Sequence, residues 1–116
     1  MMFLSVSLFA QYRTTYFNTA IIVEDTYYWD DWTASNLKLD IENKVIKINS
    51  VEKQIYVILD LLYKKETTNS IRVAYKAVDK NGKRVTIRFE FYDESKNQIY
   101  IDYSDISFSY IFIYEN

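Results

Sequence analysis

Ile71-Arg72-Val73-Ala74-Tyr75-Lys76-Ala77-Val78-Asp79-Lys80-Asn81-Gly82-Lys83-Arg84-Val85-Thr86-Ile87-Arg88-Phe89-Glu90-Phe91 is the stretch that decides the fold. Strand side chains alternate between two faces, so a hairpin must set apolar residues opposite apolar residues. A two-residue turn at Asn81-Gly82 is a strong hairpin signal, but it would set Val73 and Tyr75 against polar Glu90 and Arg88. A three-residue loop, Lys80-Asn81-Gly82, resolves the conflict. With Asp79 leading a type I turn and Gly82 in the left-handed bulge position, it pairs Tyr75 with Ile87, Val73 with Phe89 and Ile71 with Phe91. Apolar matching alone selects that register, and it places Arg72 opposite Glu90.

The same rule carries outward in both directions. Through a loop from Asp93 to Asn97 it pairs Phe91 with Ile99 and Phe89 with Ile101, and brings Arg88 opposite Asp102. A turn at Ser104-Asp105 then sets Ile101 against Phe108 and Ile99 against Tyr110. Upstream, Gln54 to Lys64 holds Ile55, Val57, Leu59, Leu61 and Tyr63 on one face and Tyr56, Ile58 and Leu62 on the other. Its β-branched content and alternating neighbours favour a central strand over a helix built on Val51, Ile55, Ile58 and Leu62. A five-residue loop, Lys65 to Asn69, sets Tyr63, Leu61, Leu59 and Val57 against Ile71, Val73, Tyr75 and Ala77. Earlier still, a two-residue turn at Asn43-Lys44 puts Ile41 opposite Ile46, Leu39 opposite Ile48 and Asp40 opposite Lys47. Residues 11–24 supply one more strand, in which Tyr12, Tyr16, Phe17, Ile21 and Val23 do not alternate cleanly and fix no register. The expected fold is therefore all-β, an antiparallel up-and-down meander of about seven or eight strands. Joining the first strand to the last removes two exposed edges, which favours a closed or partly closed barrel, lipocalin-like by analogy.

Composition agrees with that class and narrows the chemistry. The chain has 116 residues, enough for one domain with a core of its own, and twelve Tyr and seven Phe suit half-buried pleated surfaces. Fourteen basic residues against sixteen acidic ones leave no positive excess for phosphates, so nucleic acid is a poor partner. Cysteine and histidine are absent, which removes disulfides, thiolate nucleophiles, triads and most zinc sites. A single glycine cannot build a phosphate-cradling loop. No cofactor or metal is expected.

Residues 1–10, Met1-Met2-Phe3-Leu4-Ser5-Val6-Ser7-Leu8-Phe9-Ala10, read as the tail of a secretory signal peptide whose start lies upstream; a genuine first strand is the alternative. The run lacks a positive leader and is too short to span a membrane. The domain proper is then 11–116. Ser7-Leu8-Phe9-Ala10-Gln11, the Trp29 to Trp32 cluster, and Ala77-Val78-Asp79-Lys80-Asn81-Gly82-Lys83 with Gln98-Ile99-Tyr100-Ile101-Asp102-Tyr103 resemble small uncharacterised secreted proteins of Bacteroidetes and of their phages. The resemblance implies export or a phage context and no activity. The expected location is secreted or periplasmic if the signal is real, and cytoplasmic otherwise.

The densest candidate site is Glu24-Asp25-Thr26-Tyr27-Tyr28-Trp29-Asp30-Asp31-Trp32, with both tryptophans and four carboxylates in nine residues. Exposed rings of Tyr27, Tyr28, Trp29 and Trp32 can stack on a sugar or peptide while Asp30 and Asp31 accept hydrogen bonds, and the carboxylates could alternatively hold Ca²⁺. The bland reading has one Trp plugging a barrel end and the acids in solvent. Arg72, Glu90, Arg88 and Asp102 form a charged row that reads as a solvated face, and Tyr56, Tyr92 and Tyr100 share that non-core face with Ile58 and Leu62. No acid–base pair can be assigned. The expected function is a non-enzymatic binding or interaction domain for a small molecule or protein. The alternatives are a structural subunit or inhibitor acting through a Tyr-rich face, with homo-oligomers open to it, and, further behind, a carboxylate-based hydrolase.

Overall fold

The computed structural model describes residues 9–92 and 97–114. They form ten strands: β1 (Phe9–Val23), β2 (Thr26–Trp29), β3 (Thr33–Ala34), β4 (Lys38–Glu42), β5 (Val45–Ile48), β6 (Gln54–Glu66), β7 (Ser70–Asp79), β8 (Arg84–Tyr92), β9 (Asn97–Asp102) and β10 (Ile106–Tyr114). Among these residues no helix is long and apolar enough to cross a membrane. Strands β4 to β10 run as an up-and-down meander, and β1 pairs with both β4 and β10. Eight antiparallel strands thus close into a barrel, with β2 and β3 as extra strands on β1. An even strand number is what fully antiparallel closure requires, and closure leaves no end strand of the meander unpaired.

The interior is a packed core. Leu39, Ile46, Ile48, Tyr56, Val73, Ile87, Phe89, Ile99, Ile101, Tyr110 and Phe112 form one buried cluster, with Tyr12 and Phe17 of β1 packed against it, so every barrel strand contributes. Burying a side chain of this size is worth about 1.5–3 kcal/mol.

Three hairpin registers follow apolar matching. Leu39 opposes Ile48, Ile41 opposes Ile46 and Asp40 opposes Lys47, about an Asn43-Lys44 turn whose two residues both have positive φ (55° and 73°). Tyr75 opposes Ile87, Val73 opposes Phe89, Ile71 opposes Phe91 and Arg72 opposes Glu90. Gly82 has φ +82° at the bulge; its N–H donates to the Asp79 carbonyl, and the Asp79 N–H to that of Lys83, at 2.9 Å each. The Ser104-Asp105 hairpin sets Ile101 against Phe108 and Ile99 against Tyr110. The closure, for which the sequence fixes no register, sets Phe17 against Tyr110 and Thr14 against Phe112. The irregularity between Thr14 and Tyr16 shifts the parity of β1, and this is why its apolar residues do not alternate.

Two registers differ from expectation. In β6 the core face begins with Tyr56, only 2% exposed, because Ile46 of β5 stands opposite it; Val57, Leu59, Leu61 and Tyr63 are exposed. Irregularities between Ile58 and Asp60 and between Leu61 and Tyr63 then give Ile58–Ala77, Leu61–Tyr75 and Lys64–Val73 pairs in place of the expected set. The loop tightens to 67–69, with Glu66 opposite Ile71. A strand apolar on both faces carries no parity signal, so its neighbour decided the side. Between β8 and β9 the register slips by two: Phe89 opposes Ile99, Ile87 opposes Ile101 and Arg88 opposes Tyr100. A two-residue slip preserves every face, so alternation cannot detect it. Most of the expected Asp93–Asn97 loop, 93–96, lies outside the described residues, as do residues 1–8 of the signal-like run.

Candidate functional site

Because β4 reaches only Phe9–Arg13 of β1, the rest of that β1 edge is open to other strands. β3 takes Tyr16 and Phe17, and β2 takes Ala20 to Val23 through a Glu24-Asp25 turn with φ 50° and 66°. The pairings align Asn18 with Ser109, Ala20 with Ser107 and with Trp29, Ser109 with Tyr100, and Ser107 with Asp102, so all of these share the outer wall. Trp29 and Tyr100 are three strand spacings apart in this order, about 14 Å on a flat sheet. Their ring centroids are nevertheless 5.8 Å apart. The β1–β2 ribbon therefore curls back over the outer faces of β8, β9 and β10.

The curl buries polar groups. Ser107 and Ser109 are fully buried although they point away from the barrel core. Arg88 donates to Asp102 from Nε at 2.6 Å and from Nη2 at 3.2 Å, and Ser107 Oγ donates to Asp102 at 2.6 Å. The Arg88 guanidinium carbon lies 4.1 Å from the Tyr100 ring centre and 5.8 Å from that of Tyr27. Burial works against the Arg88 charge, and the Asp102 carboxylate outweighs it, so its pKa rises. Burial, then the charge of Glu90, pushes the Tyr100 hydroxyl up to about 12. The charged row is thus most exposed at its Arg72 end and only partly exposed at Arg88 and Asp102. What partly covers the Arg88 end is Tyr27 of the protein's own ribbon.

The chain leaves the ribbon through Asp30, which is tied back to β1. Asp30 accepts from the Thr19 N–H and the Thr19 hydroxyl, both at 2.9 Å, and these bonds hold its carboxyl below the usual range. Between this anchor and β9–β10 lies an open cleft of about 420 Å³, lined by Asn18, Trp29, Trp32, Gln98, Tyr100 and Ser109 together with Asp30. Trp29 and Trp32 are 37% and 44% exposed, and one side of Trp29 stacks on Tyr27 at 5.9 Å. Gln98 Nε2 donates to Ser109 Oγ at 2.8 Å. Asn18 is 6% exposed; its Nδ2 donates to the Asp30 carbonyl at 3.3 Å, but its Oδ1 is buried without a partner. An orphan acceptor of this kind costs about 1–3 kcal/mol.

Of the residues singled out in the sequence, Trp29, Asp30 and Trp32 meet in this cleft. Tyr27 packs beside it against Trp29, while Tyr28 and Asp31 are exposed and line no part of it. Neither Trp plugs a barrel end, and Tyr56 belongs to the core, not the outer face. Among the described residues no group of carboxylates is placed to hold a metal ion. Asn18, Gln98 and Ser109 carry no signal in sequence, because they join the site only through the curl of the sheet.

A second concavity of about 500 Å³ opens at one barrel end near Gln54, Tyr56, Asp79, Tyr103 and Phe108. Its polar groups bond to one another: Tyr56 donates to Gln54 Oε1 at 2.7 Å, Gln54 Nε2 to Tyr110 at 2.9 Å and Tyr103 to Asp79 at 2.8 Å. Burial and the Asp79 bond push Tyr103 up to about 12. This cluster caps the barrel. Fold and cleft together define an eight-stranded antiparallel barrel with a packed interior and an aromatic-lined cleft on its outside. Comparison with known proteins finds no matching family model, no matching curated protein and no matching solved structure.

Proposed function

We propose that the protein is a non-enzymatic binding domain, exported or phage-borne, that takes its ligand on the outer wall in the Trp29–Trp32–Tyr100 cleft. The observation that carries this is the meeting of three aromatic side chains with a buried, unpartnered Asn18 acceptor in one cleft of ligand size. The packed interior bears on the place and not on the class: a barrel filled by its own side chains leaves only its outside for a ligand. Chemistry in the cleft has little to work with. Both oxygens of Asp30 are engaged by Thr19, and Tyr100 stays protonated far above neutral pH. The resemblance at residues 7–11 and 77–83 supports export or a phage setting.

The test is an amide and indole chemical-shift screen of the labelled protein against mixed pools of sugars, short peptides and heterocycles. Shifts concentrated on Trp29, Trp32, Gln98 and Tyr100 are expected. Shifts concentrated on Tyr56 and Tyr103 instead would move the site to the barrel end. A second reading, a subunit that associates with copies of itself, is favoured by one observation on β6. Beyond the Ile58 N–H bond to the Lys44 carbonyl, Leu59 to Glu66 pair only with β7 among the described residues, and Leu59, Leu61, Leu62 and Tyr63 are exposed there. Sedimentation that shows concentration-dependent dimers would support it.

A further inference from the structure

We infer that the ligand of the outer cleft is a neutral sugar ring, stacked on the exposed tryptophans with its hydroxyl edge toward Asn18 and Gln98. The inference rests on the cleft being the binding site and adds the chemistry of what it binds. Charge sets the first limit. The lining contains no Lys or Arg, and its one carboxylate, Asp30, is held by two donors from Thr19. The cation beside Tyr100, Arg88, is bidentate to Asp102. A phosphate or carboxylate ligand would find no counter-charge, and an ammonium ligand would share a single carboxylate already holding two donors from Thr19.

Ring geometry sets the second limit. A flat heterocycle is held best between two parallel rings, but Trp29 and Tyr100 meet at 63°, and Tyr27 already stacks on Trp29 at 18°. What remains is a single-sided platform. A sugar ring uses such a platform, because its C–H face is apolar while its rim carries hydroxyls that both donate and accept. The amide groups of Asn18 and Gln98 match that rim, and a hydroxyl donor is what the Asn18 Oδ1 lacks. A volume of about 420 Å³ admits one or two such rings.

The experiment titrates the whole protein with methyl glycosides and disaccharides of glucose, galactose, mannose and N-acetylglucosamine, reading tryptophan fluorescence and indole shifts. Adenosine and a Tyr-containing tripeptide serve as rival probes. At least one sugar should bind saturably and shift the Trp29 and Trp32 indoles. Trp32→Ala, at an exposed position, should weaken it about ten-fold or more with the melting temperature unchanged. Asn18→Ala should also weaken it, by several-fold; it removes an orphan acceptor along with one long hydrogen bond to the Asp30 carbonyl, so its fold is expected to survive. If adenosine or the peptide occupies the cleft and no sugar does, the sugar inference falls and the binding site stands. If no probe of any class shifts these indoles, both fall. Sugar binding that Trp32→Ala leaves unchanged also overturns the inference.

Discussion

At the residue scale, backbone conformation and single hydrogen bonds decide the turns. Gly82 sits at φ +82° with open space around the position of a Cβ, so its replacement is opposed by backbone strain and not by a clash. Gly82→Val should cost about 1 kcal/mol or more, read as a lower urea midpoint with unchanged slope. An unchanged midpoint would contradict the bulge. Asp79 shows why this turn was legible: burial raises its pKa, but bonds from the Lys83 N–H, the Tyr103 hydroxyl and the Asn81 N–H win and hold it low. An Asp at that position followed by Asn-Gly advertises these bonds. Glu24-Asp25 advertises nothing comparable, since neither is glycine, yet both adopt positive φ to turn β1 into β2. The hairpin that builds the cleft was therefore hidden in the sequence by an unusual pair of turn residues.

At the scale of elements, legibility tracks the cleanness of alternation. β5 and β8 alternate buried positions with more exposed ones, β4 and β7 alternate apolar with polar side chains over most of their length, and the β4–β5 and β7–β8 registers can be written down from apolar matching alone. β6 is apolar on both faces and twice irregular, so only Ile46 across from Tyr56 reveals which side faces inward. The Arg88–Asp102 ion pair was foreseeable as a contact but forms diagonally, two residues from the expected opposition. The outward edge of β6 yields a prediction of its own. Leu59 and Leu62 are exposed and fall at its two irregularities, so Leu59→Lys and Leu62→Lys should each change stability by less than about 0.5 kcal/mol. Both should reduce self-association, since a charged edge resists strand addition. Denaturation and sedimentation of the two variants check this, and a loss of several kcal/mol would mean that the edge is covered.

At the scale of the whole molecule, closure and the curled ribbon bury tyrosines that a flat sheet would leave wet. Tyr100 and Tyr103 are pushed up to about 12 from 10.0, so each favours the folded state fully below about pH 10 and loses that contribution as the pH rises through about 12. The melting temperature should therefore fall steadily across pH 10 to 12, and the ultraviolet spectrum should show Tyr100 and Tyr103 still protonated near pH 10. Simultaneous ionisation of all tyrosines near pH 10 in a protein still folded would contradict this burial. Barrel closure was legible because unpaired edges are costly, but the outer cleft was not, because it depends on how far β1 outruns β4. The central claim is that the β1–β2 ribbon folds over the outer wall, and a nuclear Overhauser experiment on the Trp29 and Tyr100 rings tests it most directly. Ring centroids at 5.8 Å predict strong cross-peaks between the Trp29 indole protons and the Tyr100 ring, together with Arg88 side-chain protons shifted upfield by that ring. Absence of those cross-peaks, with Arg88 at ordinary shifts, would place the ribbon away from the wall and remove the cleft.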